Sequence, residues 1–150
     1  MELIIFIGIP ASGKTSFYQT NFFDTHIRIN LDMLRTRHRE KELFQKCIEL
    51  KQKIVIDNTN PTIDDRKKYI LPAKKNGYSI IGYYFRSQIV ESLGRNENRV
   101  GKKKIPEVGV KSSYSRLQLP TFLEGFDELF YVKIDENNNF IAESWQDEIQ

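Results

Sequence analysis

Eight consecutive residues, Gly8-Ile9-Pro10-Ala11-Ser12-Gly13-Lys14-Thr15, set two glycines, a lysine and a hydroxyl at the spacing Gly-x4-Gly-Lys-Thr. A backbone curled by glycine turns successive N–H groups toward one oxyanion, and a helix starting just after it adds its positive end. In that arrangement Lys14 neutralises the β- and γ-phosphates of a nucleoside triphosphate, and the Thr15 hydroxyl holds Mg2+. Gly8, Pro10, Ala11, Ser12, Gly13, Lys14 and Thr15 are therefore the candidate ATP-binding residues. Such a loop fixes the phosphate donor and leaves the acceptor open.

Other residues supply candidates for the acceptor side. Asp32 precedes Arg35 by three positions, a spacing that puts both on one helix face if a helix runs through them. A carboxylate at the carboxyl edge of a sheet can orient an acceptor hydroxyl and take its proton. Arg35 can grip either the transferring phosphoryl group or an acceptor phosphate; the plainer alternative is a surface ion pair. Asp57 ends the run Lys53-Ile54-Val55-Ile56, where an acid touches the Mg2+ shell or the loop hydroxyl, or else caps a helix. Thr15 and Asp57 are the metal candidates.

The charges are also uneven. Residues 86–116 hold eight Lys and Arg against three Glu, a net +5, so the remainder of a chain of net charge +3 carries −2. Within this segment Arg95 and Arg99 are four apart, ahead of Gly101-Lys102-Lys103-Lys104-Ile105-Pro106. The spacing predicts a basic lid near 90–106, with Arg95 and Arg99 on the ATP phosphates and Arg99 adding positive charge in the transition state. The lysine triplet serves equally well as a contact for a polyanion or as a solvated run.

These groups need a scaffold that gathers several strand ends. Apolar runs at 3–8, 26–30, 53–57, 79–85 and 128–134 are nearly continuous, as parallel strands covered on both faces require. Helical patterns fall at 13–20, 38–52, 62–75, 87–98 and 106–117, with Pro72 expected to kink or divide the third. Strand–helix alternation predicts an α/β domain with a parallel sheet. The 150 residues, 39% hydrophobic and 29% charged, suit one globular domain over 1–150. One Cys and two His exclude a structural zinc site and a disulfide framework, and fit a reducing compartment. The apolar start, Leu3 to Ile9, is too short to span a bilayer, so a cytoplasmic location without a membrane partner is expected. The tail from Asn137 reads either as a final hairpin or helix that packs Phe140, Ile141, Trp145 and Ile149, or as a frayed end.

Taken together, the residues resemble the kinase domain of P-loop 5′-hydroxyl polynucleotide kinases of phages and animals. The resemblance spans roughly 3–135. It rests on the Gly8–Thr15 loop, Asn30-Leu31-Asp32 with Arg35, Ile56-Asp57-Asn58-Thr59-Asn60-Pro61 followed by Arg66 and Tyr69, Arg95 with Arg99, and Pro120-Thr121-Phe122-Leu123-Glu124-Gly125-Phe126. Arg35 follows the phage-type pattern, whereas the Asp57–Pro61 phrase and the late Glu-Gly-Phe follow the animal type. The resemblance implies a P-loop NTPase kinase-like fold with a five-stranded parallel sheet flanked by helices. It also implies ATP as donor, Mg2+ as cofactor and a 5′-OH nucleic acid end as acceptor. By the same resemblance Asp32 is the general base, Arg35 contacts the acceptor's phosphodiester or the transferring group, Arg99 is the lid arginine, and Asp57 supports the metal. No Asp-x-Asp pair occurs, so a fused 3′-phosphatase is not expected.

Two further readings share these residues. One is a kinase of a small alcohol such as a nucleoside, sugar or antibiotic; the other is an ATP-gated binding module that catalyses nothing. RNA against DNA, ATP against GTP and the oligomeric state stay open at this level.

Overall fold

The computed structural model describes residues 1–86 and 107–146. Five strands run parallel: β1 (Glu2–Ile7), β2 (Ile27–Ile29), β3 (Ile54–Ile56), β4 (Ser79–Phe85) and β5 (Glu128–Ile134). A sixth, β6 (Phe140–Ser144), returns antiparallel to β5, giving the order β2-β3-β1-β4-β5-β6. The expected sheet of five parallel strands is therefore present but extended. The correction comes from the tail, where the β5–β6 turn brings Phe140 opposite Ile134. Trp145 then packs edge-on to Tyr84 at 5.4 Å, and Phe140 edge-on to Phe17 at 5.2 Å. Burying these rings offsets the entropy of ordering a polar tail.

Both faces of the sheet are covered, which explains why β1 reads as an unbroken apolar run. Its odd residues Leu3, Ile5 and Ile7 enter one core with Phe44, Cys47, Ile48, Tyr69, Ile70 and Trp145. Its even residues Ile4 and Phe6 enter the other with Phe17, Tyr18, Phe85 and Val132. Helices α3 (Arg37–Glu49) and α4 (Ile63–Lys75) cover the first face, and α1 (Lys14–Asn21) the second. Helix α5 (Glu107–Arg116) follows β4 in sequence, then a 3-10 turn at Phe122–Glu124.

Helix ends follow local chemistry. Thr62 and Asp65 form a reciprocal capping box at the start of α4. Gly77 ends that helix at φ +82°, its amide donating to the Lys74 carbonyl. Pro72 does not divide α4 as expected, because it lies on the exposed side, where water can serve the carbonyl that lost its amide partner. The helix expected at 38–52 ends at Glu49, with Lys51 turning left-handed at φ +56°. Upstream, one turn of helix, α2 (Leu31–Leu34), is separate from α3. Arg35 caps it at φ +78°, so Asp32 and Arg35 do not share a continuing helix face.

Candidate active site

The carboxyl ends of β1, β2 and β3 open into one cleft of about 360 Å³. Its donor wall is the loop between β1 and α1. The Gly8 amide donates to the Thr59 carbonyl at 3.0 Å, which ties the loop to the segment after β3. The Lys14 ammonium reaches back over the loop, donating to the carbonyls of Gly8 (2.9 Å) and Ile9 (2.7 Å) and to Ser12 Oγ (3.3 Å). Gly13 precedes α1 without a side-chain cap, and the first turn carries no acid, so the positive helix end faces the loop. Pro10, Ala11, Lys14 and Thr15 line the cleft directly.

Gly13 carries a second constraint. It stands at φ +97°, and a Cβ there would lie 3.1 Å from the Phe140 ring and 3.3 Å from Ile134 Cδ1. Gly13→Ala is expected to cost about 1–2 kcal/mol from the left-handed backbone alone. Urea denaturation measures this, and an unchanged midpoint would contradict it.

Asp57 is buried at the floor of the cleft. Its Oδ2 accepts from the Thr15 hydroxyl at 3.0 Å and from Arg28 Nε at 2.8 Å. Thr15 and Asp57 thus come together as the sequence reading anticipates. Hard oxygen donors, one of them a hydroxyl whose proton is already committed to a carboxylate, suit Mg2+, which keeps several waters and phosphate oxygens as further ligands. Arg28 is the residue that reasoning from motifs misses. Arg28 pairs with Val55 across the β2–β3 ladder, which places it on the same sheet face as Asp57 two residues further on. A lone cation inside an apolar strand, next to a strand that ends in an acid, is the signal that could have found it.

The opposite wall is built by two asparagines. Asn30 caps α2, its Oδ1 accepting from the Met33 amide at 2.9 Å, and its Nδ2 donates to the Asp57 carbonyl at 2.6 Å. Asn58 Oδ1 accepts from the Leu31 amide at 2.9 Å while its Nδ2 donates to Glu40 Oε2 at 2.8 Å. Buried Glu40 also accepts from the Tyr69 hydroxyl at 2.8 Å and from Arg37 Nη1 at 2.9 Å. Burial, followed by the neighbouring Glu40 charge, raises the Tyr69 phenol far above its ordinary value, so it stays a neutral donor. This network fixes α2, from which exposed Asp32 lines the same cleft as Lys14 and Thr15.

Arg35 is exposed and is not among the cleft residues; Arg37, two positions on, is. Lys68 and Arg116 join it on that side. Burial and the Arg37 charge lower the Lys68 pKa, against the opposing pull of Glu40 and Asp65. The sequence spacing puts Asp32 and Arg35 on one helix face, which assigns the facing cation to Arg35 and passes over Arg37, and no motif singles out Lys68 on α4. Arg95, Arg99 and the whole of the expected lid segment near 90–106 lie outside the described residues. The described residues include no group of three or more His, Cys, Asp or Glu that could hold a metal by themselves, and no helix long and apolar enough to cross a membrane.

Behind the site, Arg66 is fully buried. Its guanidinium grips Glu124 in a two-pronged fork at 2.7 and 3.0 Å, and Nη1 donates to the carbonyls of Asn60 and Gln118. It fastens α4 to the loop after β3 and to the segment after α5. Arg66, Tyr69 and Glu124, quoted above as resemblance motifs, thus act through packing and hydrogen bonding.

Comparison with known proteins agrees with this architecture. The chain is 32% identical over 131 residues to a bifunctional polynucleotide phosphatase/kinase of Schizosaccharomyces pombe, covering 83% of this chain and 32% of that protein. It is 29% identical over 140 residues to a putative bifunctional polynucleotide phosphatase/kinase of Acanthamoeba polyphaga mimivirus, covering 85% and 32%. The chain thus spans about a third of the length of the curated relatives it matches. Among solved structures, a chain of the PezAT toxin–antitoxin system of Streptococcus pneumoniae superposes with TM-score 0.73 at 15% identity, over 98% of this chain and 74% of that one. Chaetomium thermophilum Kti12 in complex with ADP-AlF3 does so with TM-score 0.67 at 15% identity, over 91% and 92%. These two likenesses concern the fold, an α/β P-loop kinase-like fold. The family model described as AAA domain matches residues 3–129, and with its phosphate-binding loop between β1 and α1 this chain belongs to that family of P-loop proteins.

Proposed function

We propose that this domain is an ATP-dependent kinase that transfers the γ-phosphoryl group to the 5′-hydroxyl end of a polynucleotide in the cytoplasm. One observation carries the reading: the loop lysine, the Thr15–Asp57 pair and an exposed carboxylate, Asp32, line the same cleft. The curated relatives named as polynucleotide phosphatase/kinases support the acceptor class. Three cations on the acceptor side, Arg37, Lys68 and Arg116, supply charge for a phosphodiester.

In this mechanism the loop amides and the α1 terminus bind the triphosphate, and Lys14 leaves its carbonyl partners to follow the β–γ bridge. Asp32 accepts the proton of the 5′-hydroxyl as that oxygen attacks the γ-phosphorus and ADP leaves. The Thr15 hydroxyl, with Asp57 behind it, would hold Mg2+, which would supply positive charge against the negative charge that develops on the transferring phosphoryl group. Asn30 and Asn58 keep α2 still, so that the base meets the hydroxyl in one geometry.

A charged acceptor site predicts salt dependence. The KM for a 5′-hydroxyl oligonucleotide is expected to rise about tenfold or more between low and moderate salt, as neutralised phosphates release counterions. The KM for ATP should change less. Steady-state kinetics over a potassium chloride series measure this, and a flat oligonucleotide KM would turn the reading toward a small uncharged alcohol.

A further inference from the structure

Arg28 is the cation of the site that the mechanism above does not use. It approaches Asp57 and Thr15 from the edge strand β2 without itself lining the cleft, its side chain 23% exposed. Its Nε donates to Asp57 Oδ2 at 2.8 Å, and its Nη2 donates to Thr15 Oγ1 at 3.3 Å. Since the Thr15 hydroxyl itself donates to the same carboxylate oxygen at 3.0 Å, the three groups close a triangle. A guanidinium thus holds lone pairs of the two oxygens that form the divalent-cation site.

A guanidinium and a metal ion cannot draw on one lone pair together, and two cations at this range repel. The guanidinium also has somewhere to go. Its Cζ lies 5.9 Å from the Tyr18 ring centroid, and Nη1 lies 3.9 Å from the sulfur of Met33, a residue 53% exposed. A small rotation outward keeps a cation–π contact and frees both oxygens.

We propose that Arg28 is a positioning residue of the metal site: it competes with Mg2+ for Thr15 Oγ1 and Asp57 Oδ2, and so sets how much Mg2+ nucleotide binding requires. This rests on the nucleotide-site reading above. With no metal on the site Arg28 keeps Asp57 and Thr15 aligned, and it yields as the ion arrives with ATP. A mere structural clamp would stay in place whatever the Mg2+ concentration.

The test uses the full chain and reads binding alone. ATP affinity is measured by calorimetry along a MgCl2 series for wild type, Arg28→Gln and Arg28→Lys. Gln keeps a donor for Asp57 but loses the charge. The half-saturating Mg2+ concentration is expected to fall roughly threefold to tenfold in Arg28→Gln, the scale of a part-exposed charge-assisted pair, and to stay near wild type in Arg28→Lys. An unchanged or raised requirement, with ATP still bound, would overturn the proposal. If wild type binds no ATP at any Mg2+ concentration, the nucleotide-site reading falls first and takes this one with it.

A second measurement needs only wild-type protein. The Nε–H resonance of Arg28, followed in an ATP-saturated sample, is expected to shift and exchange faster with water as MgCl2 is added. A resonance that stays put and protected would show a static clamp and overturn the competition.

Discussion

Asp32→Asn is expected to slow phosphoryl transfer by at least about a hundredfold, the usual contribution of a positioned base, while ATP affinity stays within about twofold. The asparagine is isosteric, and Asp32 is not among the groups that hold Lys14, Thr15 or Asp57. The position of α2 comes from Asn30 and Asn58 rather than from the Asp32 side chain, so the cleft keeps its shape. What the variant loses is the ability to take a proton from the acceptor hydroxyl. Single-turnover transfer and ATP calorimetry on the same preparation separate the two effects. Loss of ATP binding would move Asp32 to the donor side and leave the acceptor without a base.

The largest stability effect should come from Arg66, far from any reacting atom. Arg66→Leu is expected to destabilise the domain by about 3–5 kcal/mol, because it strands a buried carboxylate. Glu124 has a side chain only 5% exposed, and the Asn60 and Gln118 carbonyls lose their donor at the same time. Arg66→Lys should recover only part of this, since an ammonium cannot reproduce the two-pronged fork. The double variant Arg66→Leu with Glu124→Leu should be more stable than Arg66→Leu alone, because no charge is then left unpaired. Urea denaturation of the three variants measures the series. A loss below about 1 kcal/mol in Arg66→Leu would mean that the segment after α5 rearranges to hydrate Glu124.

How far the sequence shows this depends on how local each feature is. The strands β1, β4 and β5 are long apolar runs, and the loop Gly8–Thr15 is a contiguous pattern with one physical purpose. Those features are plain without coordinates. The break between α2 and α3 is not, because Arg35 takes φ +78° without the glycine or asparagine that signals such a turn. That hidden turn is why the cation lining the cleft is Arg37 and not Arg35. The strand β6 is short and mostly exposed, and its pairing is settled by Phe140 and Trp145 docking on residues far back in the chain. Arg66 and Glu124 sit 58 positions apart, so the sequence offers them as motif residues without their fork. Asp57 is legible as the end of an apolar strand, but its partner Arg28 requires the β2–β3 register.

In the proposed mechanism one cleft brings a triphosphate donor to a 5′-hydroxyl acceptor under the base Asp32. Transfer of labelled γ-phosphate from ATP–Mg2+ tests it most directly, with a 5′-hydroxyl oligonucleotide, single nucleosides and simple sugars offered side by side to wild type and Asp32→Asn. Label is expected on the oligonucleotide with wild type, little on nucleosides or sugars, and none above background with Asp32→Asn. Label passing to a nucleoside or sugar while the oligonucleotide stays unlabelled would contradict it.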